Sequence, residues 1–414
     1  MTDDPVRVQY EAYPYPVRDP ADERDRLITG SPSHVDEINH YVFAGRRDFR
    51  RPFRALIAGG GTGDGTIMLA QQLANASAAG QVVYVDASAT ARAIAEARAQ
   101  VRGLDNIRFE TCAIEDLDEA VLGAFDYVDC CGVLHHLADP QAGLDALVRM
   151  LADDGGMGLM LYGELGRTGV YPVQELLRRI GGEDPSADRL ALARKIVDRL
   201  PPTNWLKRNP FVRDHLTGGD AGLFDLLLHG RDRAYRVPEI AALCTDARLR
   251  ITAFVEPAAY DPDAYVGDAE VRRRMAELPW IERCAAAELL AGNMAKHVFY
   301  AVKVSNGAQA VARLESAGAI PVLWDMDADA FVAAMKPGKP LAADLSGLAL
   351  SFPLPPLAAA MVARIDGERD LAAIHAGLRL SNPNLAWDRF HAEFKQLFGV
   401  LNGLGKMFLQ NPAV

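Results

Sequence analysis

Ala55-Leu-Ile-Ala-Gly-Gly-Gly-Thr-Gly-Asp-Gly65 is the stretch on which the fold turns. An apolar run leads into Gly59, Gly61 and Gly63, spaced as GxGxG, and then into TIMLAQQLANA (66–76), whose apolar residues recur at helical spacing. The pattern predicts a strand, a glycine turn and a helix. Glycine permits the tight turn and lets the backbone approach a ligand with no Cβ in the way. Such a loop is weak evidence alone, because several nucleotide-binding enzymes share it. The next strand, QVVYVDAS (81–88), adds a second element. Asp86 at its end is placed to accept hydrogen bonds from both hydroxyls of a ribose.

Working outward, Ser88 caps an Ala-rich helix that stops at Gly103. IRFETCAI (107–114), FDYVDCC (125–131) and MGLMLYG (157–163) are further strands. Strands apolar on both faces, with helices between them, imply a parallel doubly wound sheet. Past 163 the pattern becomes helical, as in VQELLRRI (173–180) and ALARKIVDRL (191–200), with no convincing strand before about 245. Strands return at LRITAFVEP (249–257) and KHVFYAVKV (296–304), flanking a helical stretch at 269–295. The expected architecture is α/β: a Rossmann-like sheet of seven strands closing on an antiparallel pair. Residues 1–50 form an N-terminal lid segment, 51–163 and 246–305 the core domain, 164–245 a helical insertion and 306–414 an accessory domain of small helices.

The bulk composition narrows the function. The 414 residues exceed what one core usually holds. A net charge of −11 argues against a broad grip on nucleic acid, which needs a basic face. Cys112, Cys130, Cys131, Cys244 and Cys284 form no CxxC pair, so they read as thiols of a reducing compartment, with no metal site expected. The acidic N-terminus lacks an apolar signal core, and no apolar run reaches membrane-span length. The expected location is the cytoplasm, without membrane partners, and the chain is compatible with a homodimer.

The ordered motifs resemble those of the class I S-adenosyl-L-methionine (AdoMet)-dependent methyltransferases. Gly59, Gly61 and Gly63 match the family's glycine motif, and Asp86 its ribose carboxylate. Cys112-Ala-Ile-Glu-Asp-Leu117 matches the segment that packs on adenine, with Ala113 and Ile114 nearest the base. Phe125 to Leu137 matches the fourth-strand motif, which implies that Cys131 and Gly132 face the methionine portion. Leu151-Ala-Asp-Asp-Gly-Gly156 looks like the family's turn into the fifth strand. One position departs from the pattern. Where the family usually carries Asp or Glu, two residues before the first glycine, this chain has Ile57. The resemblance then requires another group for the cosubstrate's ammonium: the Gly59 carbonyl, Cys131 or the Gly132 carbonyl, or a side chain from elsewhere. Asp64, inside the loop, is expected to cap the following helix.

The remaining site candidates lie outside the glycine motif. YEAYPYP places Tyr10, Tyr13 and Tyr15 ahead of Arg18, which suits either a lid whose Tyr10, Tyr15 and Arg18 bind the cosubstrate or a plain surface arm. His135 and His136, just after the fourth strand, are candidate general bases, as is Tyr162, or else they pack locally. Arg167 and Tyr171 follow the fifth strand at the sheet's carboxyl edge, where such sheets bind ligands. Asp225 and His229, at i and i+4, are expected on one helix face, which either points toward the acceptor or is solvated. The resemblance implies methyl transfer to an N or O acceptor, with a protein or peptide amine favoured because the layout also resembles bacterial protein-lysine methyltransferases with a C-terminal regulatory domain. The alternatives are a small-molecule acceptor, a nicotinamide-dependent oxidoreductase and an inactive AdoMet-binding protein.

Overall fold

The computed structural model describes residues 4–76, 79–182, 186–336 and 338–411. Its centre is a sheet of β1 (Phe53–Ala58), β2 (Gly80–Asp86), β3 (Ile107–Thr111), β4 (Phe125–Cys131), β5 (Leu151–Tyr162), β6 (Leu249–Phe254) and β7 (Lys296–Lys303). The seven strands run in the order 3-2-1-4-5-7-6. β1 to β5 pair parallel, while β7 runs antiparallel to both β5 and β6. The order reverses between β1 and β4, so the loops above their carboxyl ends diverge and leave a crevice. Leu151–Gly156, expected as a turn, belongs to β5 itself. The register shift there, between Phe125 and Tyr127 of β4, absorbs the extra residues.

Both faces of the sheet are covered, as the apolar strands require. On one side Leu56, Val83, Val128 and Leu159 pack with Leu144 and Leu147 of the helix Pro140–Met150. On the other, Ala55, Ile57 and Tyr127 meet Leu69 and Leu73 of the helix Asp64–Asn75 and Ile38, Tyr41 and Val42 of the helix Val35–Val42. This corrects the N-terminal boundary. Residues 35–42 are a structural layer of the sheet rather than part of a lid.

Two other boundaries also move. The helix Val237–Asp246, expected inside the insertion, places Val237, Ile240 and Cys244 in the sheet's own core. What remains of the insertion has a separate core, built by Val170–Gly181, Ser186–Arg199 and Gly219–Leu227. The stretch 269–295 is two helices, Ala269–Ala276 and Trp280–Ala291, interrupted at Pro279.

The C-terminal region is not purely helical. It contains β8 (Ile320–Leu323), β9 (Leu341–Leu345), β10 (Leu348–Phe352) and β11 (Met407–Gln410), with β8 paired to β11 and β9 to β10. Helices Leu371–Arg379 and Trp387–Gly403 bury Ile374, Phe390, Phe394 and Leu397 in its core. β11 then returns to the helix Val35–Val42. Leu409 N–H donates to His40 Nδ1 at 3.1 Å, the Gln410 amide donates to Asp36 at 3.0 Å, and Phe408 enters the sheet's own cluster beside Tyr41.

This joint generates a prediction. Phe408→Ala is expected to destabilise the whole protein by about 3–5 kcal/mol, the usual cost of emptying a buried aromatic site. A chain ended at Ser305 should be less stable still, because it uncovers Ile38, His40 and Tyr41. Denaturant titration checks both, and a truncated chain as stable as the full one would overturn the joint.

Candidate active site

A cleft of about 710 Å³ opens above the carboxyl ends of the parallel strands. Its floor is the glycine loop. Gly59, Gly61 and Gly63 all have positive φ (73°, 51° and 102°). They serve different purposes. A Cβ on Gly59 would lie 2.3 Å from Val133, one on Gly60 2.3 Å from the Tyr84 ring, and one on Gly63 2.9 Å from Ala95. Those glycines are demanded by packing. A Cβ on Gly61 meets only the Tyr15 carbonyl, at 3.3 Å, and otherwise faces the cleft.

Asp86 closes the loop onto β2. Its Oδ2 accepts the Gly61 N–H at 2.8 Å and its Oδ1 the Ser88 N–H at 2.8 Å. Burial raises the carboxyl's pKa, partly offset by these two donors. Ala113 and Ile114 line the same end of the cleft, while Cys131 and Gly132 line the end above β4. Asp64 is not a cap. Gly63 holds that position, and the Asp64 carboxylate instead takes Arg18 (2.9 and 2.6 Å) and Arg98 (2.7 Å). Arg18 therefore fastens the N-terminal segment to the loop and does not line the cleft. Tyr15 borders the cleft, but its hydroxyl donates to Asp214 at 3.0 Å. Thr62 donates to the Pro16 carbonyl at 2.8 Å, so the segment covers the loop with backbone.

At the β4–β5 end, residues from three regions converge. The Tyr10 hydroxyl donates to Asp225 Oδ1 at 2.9 Å and lies 3.3 Å from His229 Nε2, while the Tyr162 hydroxyl donates to Asp225 Oδ2 at 3.3 Å. His229 lies past the helix Gly219–Leu227, so its closeness to Asp225 depends on this network rather than on i, i+4 spacing. His136 stacks on His229 with centroids 3.8 Å apart. Its Nδ1 is 2.9 Å from the Arg231 carbonyl, which can only accept. The neutral ring therefore carries its proton on Nδ1 and keeps a bare Nε2.

His136, Asp225 and His229 bring potential metal ligands within 4.8 Å of one another. Their hydrogen bonds oppose that use. His229 Nδ1 accepts the Arg231 N–H at 3.0 Å, which puts its own proton on Nε2, and a metal at Nε2 would require the opposite tautomer. Burial depresses His229 to about 2, so the ring stays neutral.

The other candidates buttress this cluster. His135 is buried, stacks on Tyr162 at 3.8 Å, has no hydrogen-bond partner on either nitrogen among the described residues and does not line the cleft. This corrects its reading as a base. Arg167, buried and paired to Asp232 at 3.0 Å, lies over the Tyr162 ring at 3.7 Å and reaches the Tyr171 hydroxyl at 3.3 Å. Neither Arg167 nor Tyr171 lines the cleft, so both position Tyr162 rather than contact an acceptor there.

With this geometry established, comparison with known proteins is direct. A family model described as "Methyltransferase domain" matches residues 56–157. An uncharacterised protein of Synechococcus sp. is 31% identical over 292 residues, covering 69% of this chain and 68% of that protein. The tRNA 5-carboxymethoxyuridine methyltransferase of Escherichia coli is 33% identical over 110 residues, 26% of this chain and 40% of that enzyme. Among solved structures, PKMT2 from Rickettsia typhi shares the fold over 96% of this chain and 75% of its own, with TM-score 0.61 and 15% identity. It has also been solved with AdoHcy, S-adenosylhomocysteine. The chain belongs to the class I AdoMet-dependent methyltransferases.

Its cosubstrate is AdoMet. The residues of the methyltransferase fit that molecule: a cleft-facing Gly61, a carboxylate at the end of β2 and an apolar wall at Ala113 and Ile114. Two cleft residues escaped the sequence reading, Asp129 in the middle of β4 and Ser33 before the helix Val35–Val42. The available signal was an acidic residue inside the apolar run FDYVDCC, where a buried strand normally carries none. No helix among the described residues is long and apolar enough to cross a membrane.

The loop geometry sets apart two glycine variants of the methyltransferase. Gly61→Val is expected to remain folded and lose AdoMet binding, whereas Gly60→Ala should lower the melting temperature by driving into Tyr84. Asp86→Ala is expected to weaken AdoMet by about 1–3 kcal/mol in calorimetry, through loss of a charged acceptor. Wild-type affinity in Gly61→Val would contradict a cleft-facing role for that position.

Proposed function

We propose that the methyltransferase acts on an amine, the lysine-like side chain of a protein or peptide, that enters the cleft beside Asp225. The observation that carries this reading is a buried carboxylate held by two tyrosine hydroxyls next to an imidazole with a free nitrogen. Burial raises the pKa of Asp225, with His136 and Tyr10 opposing the shift. A carboxylate kept at such cost favours a cationic partner, and an ammonium group supplies one.

AdoMet, when bound, supplies an activated methyl on its sulfonium, so the chain's own task is to align, dry and deprotonate the acceptor. Asp225 draws the ammonium in. His136 Nε2 takes one proton and frees the nitrogen lone pair, while the Arg231 carbonyl holds the Nδ1 proton and so fixes the tautomer. The methyl forms its bond to that nitrogen, and the electron pair of the broken carbon–sulfur bond stays on sulfur. Tyr10 and Tyr162 hold the carboxylate, and Arg167 and His135 hold Tyr162. PKMT2 from Rickettsia typhi shares the fold over 96% of this chain, the C-terminal region included. The relation to a tRNA enzyme covers 26% of this chain and 40% of that enzyme.

Incubation of the protein with methyl-labelled AdoMet and a cell extract tests the proposal. The label is expected in the protein fraction, as a base-stable methylated amine in acid hydrolysates. Label in the small-molecule fraction, or as a base-labile ester, would overturn the reading. His136→Gln and Asp225→Asn should each lower turnover by about 10²–10⁴-fold while AdoMet affinity stays within about threefold. His135→Phe, which keeps the stack on Tyr162, should leave turnover within about threefold.

A further inference from the structure

We propose that Asp129, supported by Ser33, binds the ammonium of the cosubstrate's methionine arm and so takes over, from one strand away, the place that Ile57 leaves without a charge. β1 and β4 pair in parallel with Ile57 directly opposite Asp129. Residues opposite one another in a parallel pair project to the same face at the same level. Both side chains line the cleft beside the glycine loop. A carboxylate on either strand reaches the same space.

The surroundings of Asp129 are those of a site rather than of a structural ion pair. It is 2% exposed. Its Oδ2 accepts the Ser33 hydroxyl, and among the described residues no Lys or Arg side chain pairs with it. Burial pushes its carboxyl up to about 7. An anion buried without a cation is costly unless a ligand brings the charge. The neighbouring helix is shaped to admit this pair. A Cβ on Gly65 would fall 2.8 Å from Ser33 Oγ and 3.7 Å from Asp129 Oδ2, so glycine at that position leaves room for them.

The layout of the cleft gives the ligand its direction. Asp86, at the end of β2, sits with Ala113 and Ile114 at the nucleoside end, while Asp129, Cys131 and Gly132 belong to β4. With the ribose on Asp86, the amino-acid arm runs over β1 toward β4 and brings its ammonium to Asp129. Asp225 lies beyond, on the insertion, and serves the acceptor. The molecule thus assigns separate carboxylates to ribose, ammonium and acceptor. Asp129 is a binding and positioning residue and takes no part in proton transfer.

The test compares two ligands on the full-length protein by calorimetry. AdoHcy carries the amino-acid arm, whereas 5′-methylthioadenosine keeps the nucleoside thioether and lacks the arm. Asp129→Asn is expected to weaken AdoHcy by 10- to 100-fold, on the order of the loss of one charge-assisted contact, and to leave 5′-methylthioadenosine within about threefold. Ser33→Ala should produce the same selectivity with a smaller loss, about 3- to 10-fold. An equal loss for both ligands would mean general damage to the cleft and overturn the assignment, as would unchanged AdoHcy affinity. Should Asp129→Asn fold poorly, the Ser33→Ala pair of titrations decides alone. None of these readouts depends on the acceptor, so the amine proposal and this one fail independently.

Discussion

The hydrogen bond from Leu409 N–H to His40 Nδ1 joins three parts of the molecule at one short helix. The helix Val35–Val42 packs Ile38, Tyr41 and Val42 on the sheet, receives β11 of the C-terminal region through His40 and Asp36, and is preceded by Ser33, which reaches Asp129. Burial holds His40 near 3, so the ring stays neutral and remains an acceptor. The Pro32 carbonyl accepts from Tyr127 at 2.6 Å and Tyr300 at 3.1 Å, which pins the same segment to β4 and β7. The cosubstrate cleft thus takes one wall from a helix whose outer face is sealed by the far end of the chain.

The same economy governs the acceptor end. Asp225 comes from the insertion, Tyr10 from the N-terminal helix Pro5–Ala12, Tyr162 from β5 and His136 from the turn after β4. No two of them share a secondary-structure element. Their mutual distances are maintained by buried hydrogen bonds and ring stacks, which are strong and directional when water is excluded. A pocket made this way depends on docking of both the N-terminal segment and the insertion. It also explains why Arg167, His135 and Asp232 are buried around Tyr162 although none of them lines the cleft.

Much of this architecture was legible in single stretches of chain. β1, β2, β4 and β5 announce themselves as apolar runs separated by caps and glycines, because strands buried on both faces need apolar side chains, whereas the edge strand β3 shows itself by alternation in IRFET. Gly59, Gly61, Gly63 and Asp86 were readable because a tight turn and a ribose carboxylate stand at set distances from those strands. Val35–Val42 was missed because it is only eight residues long and half of VDEINHYV is polar, with Glu37, Asn39 and His40 themselves buried. Its apolar side chains Val35, Ile38, Tyr41 and Val42 pack on the sheet, while tertiary hydrogen bonds take up Asn39 and His40. β8 to β11 were missed because four or five residues carry too little alternation to show a period.

Local sequence therefore determined the succession of β1 to β7, the glycine turn and the cosubstrate class, since each rests on spacing along one segment. The tertiary structure alone decided which of two adjacent histidines lines the cleft, that Arg18 grips Asp64, and that Asp129 lies opposite Ile57. Those outcomes depend on register between strands and on partners as far as 95 residues away along the chain. Hydrophobic pattern specifies which face a side chain takes, but not which side chain of another element will meet it there.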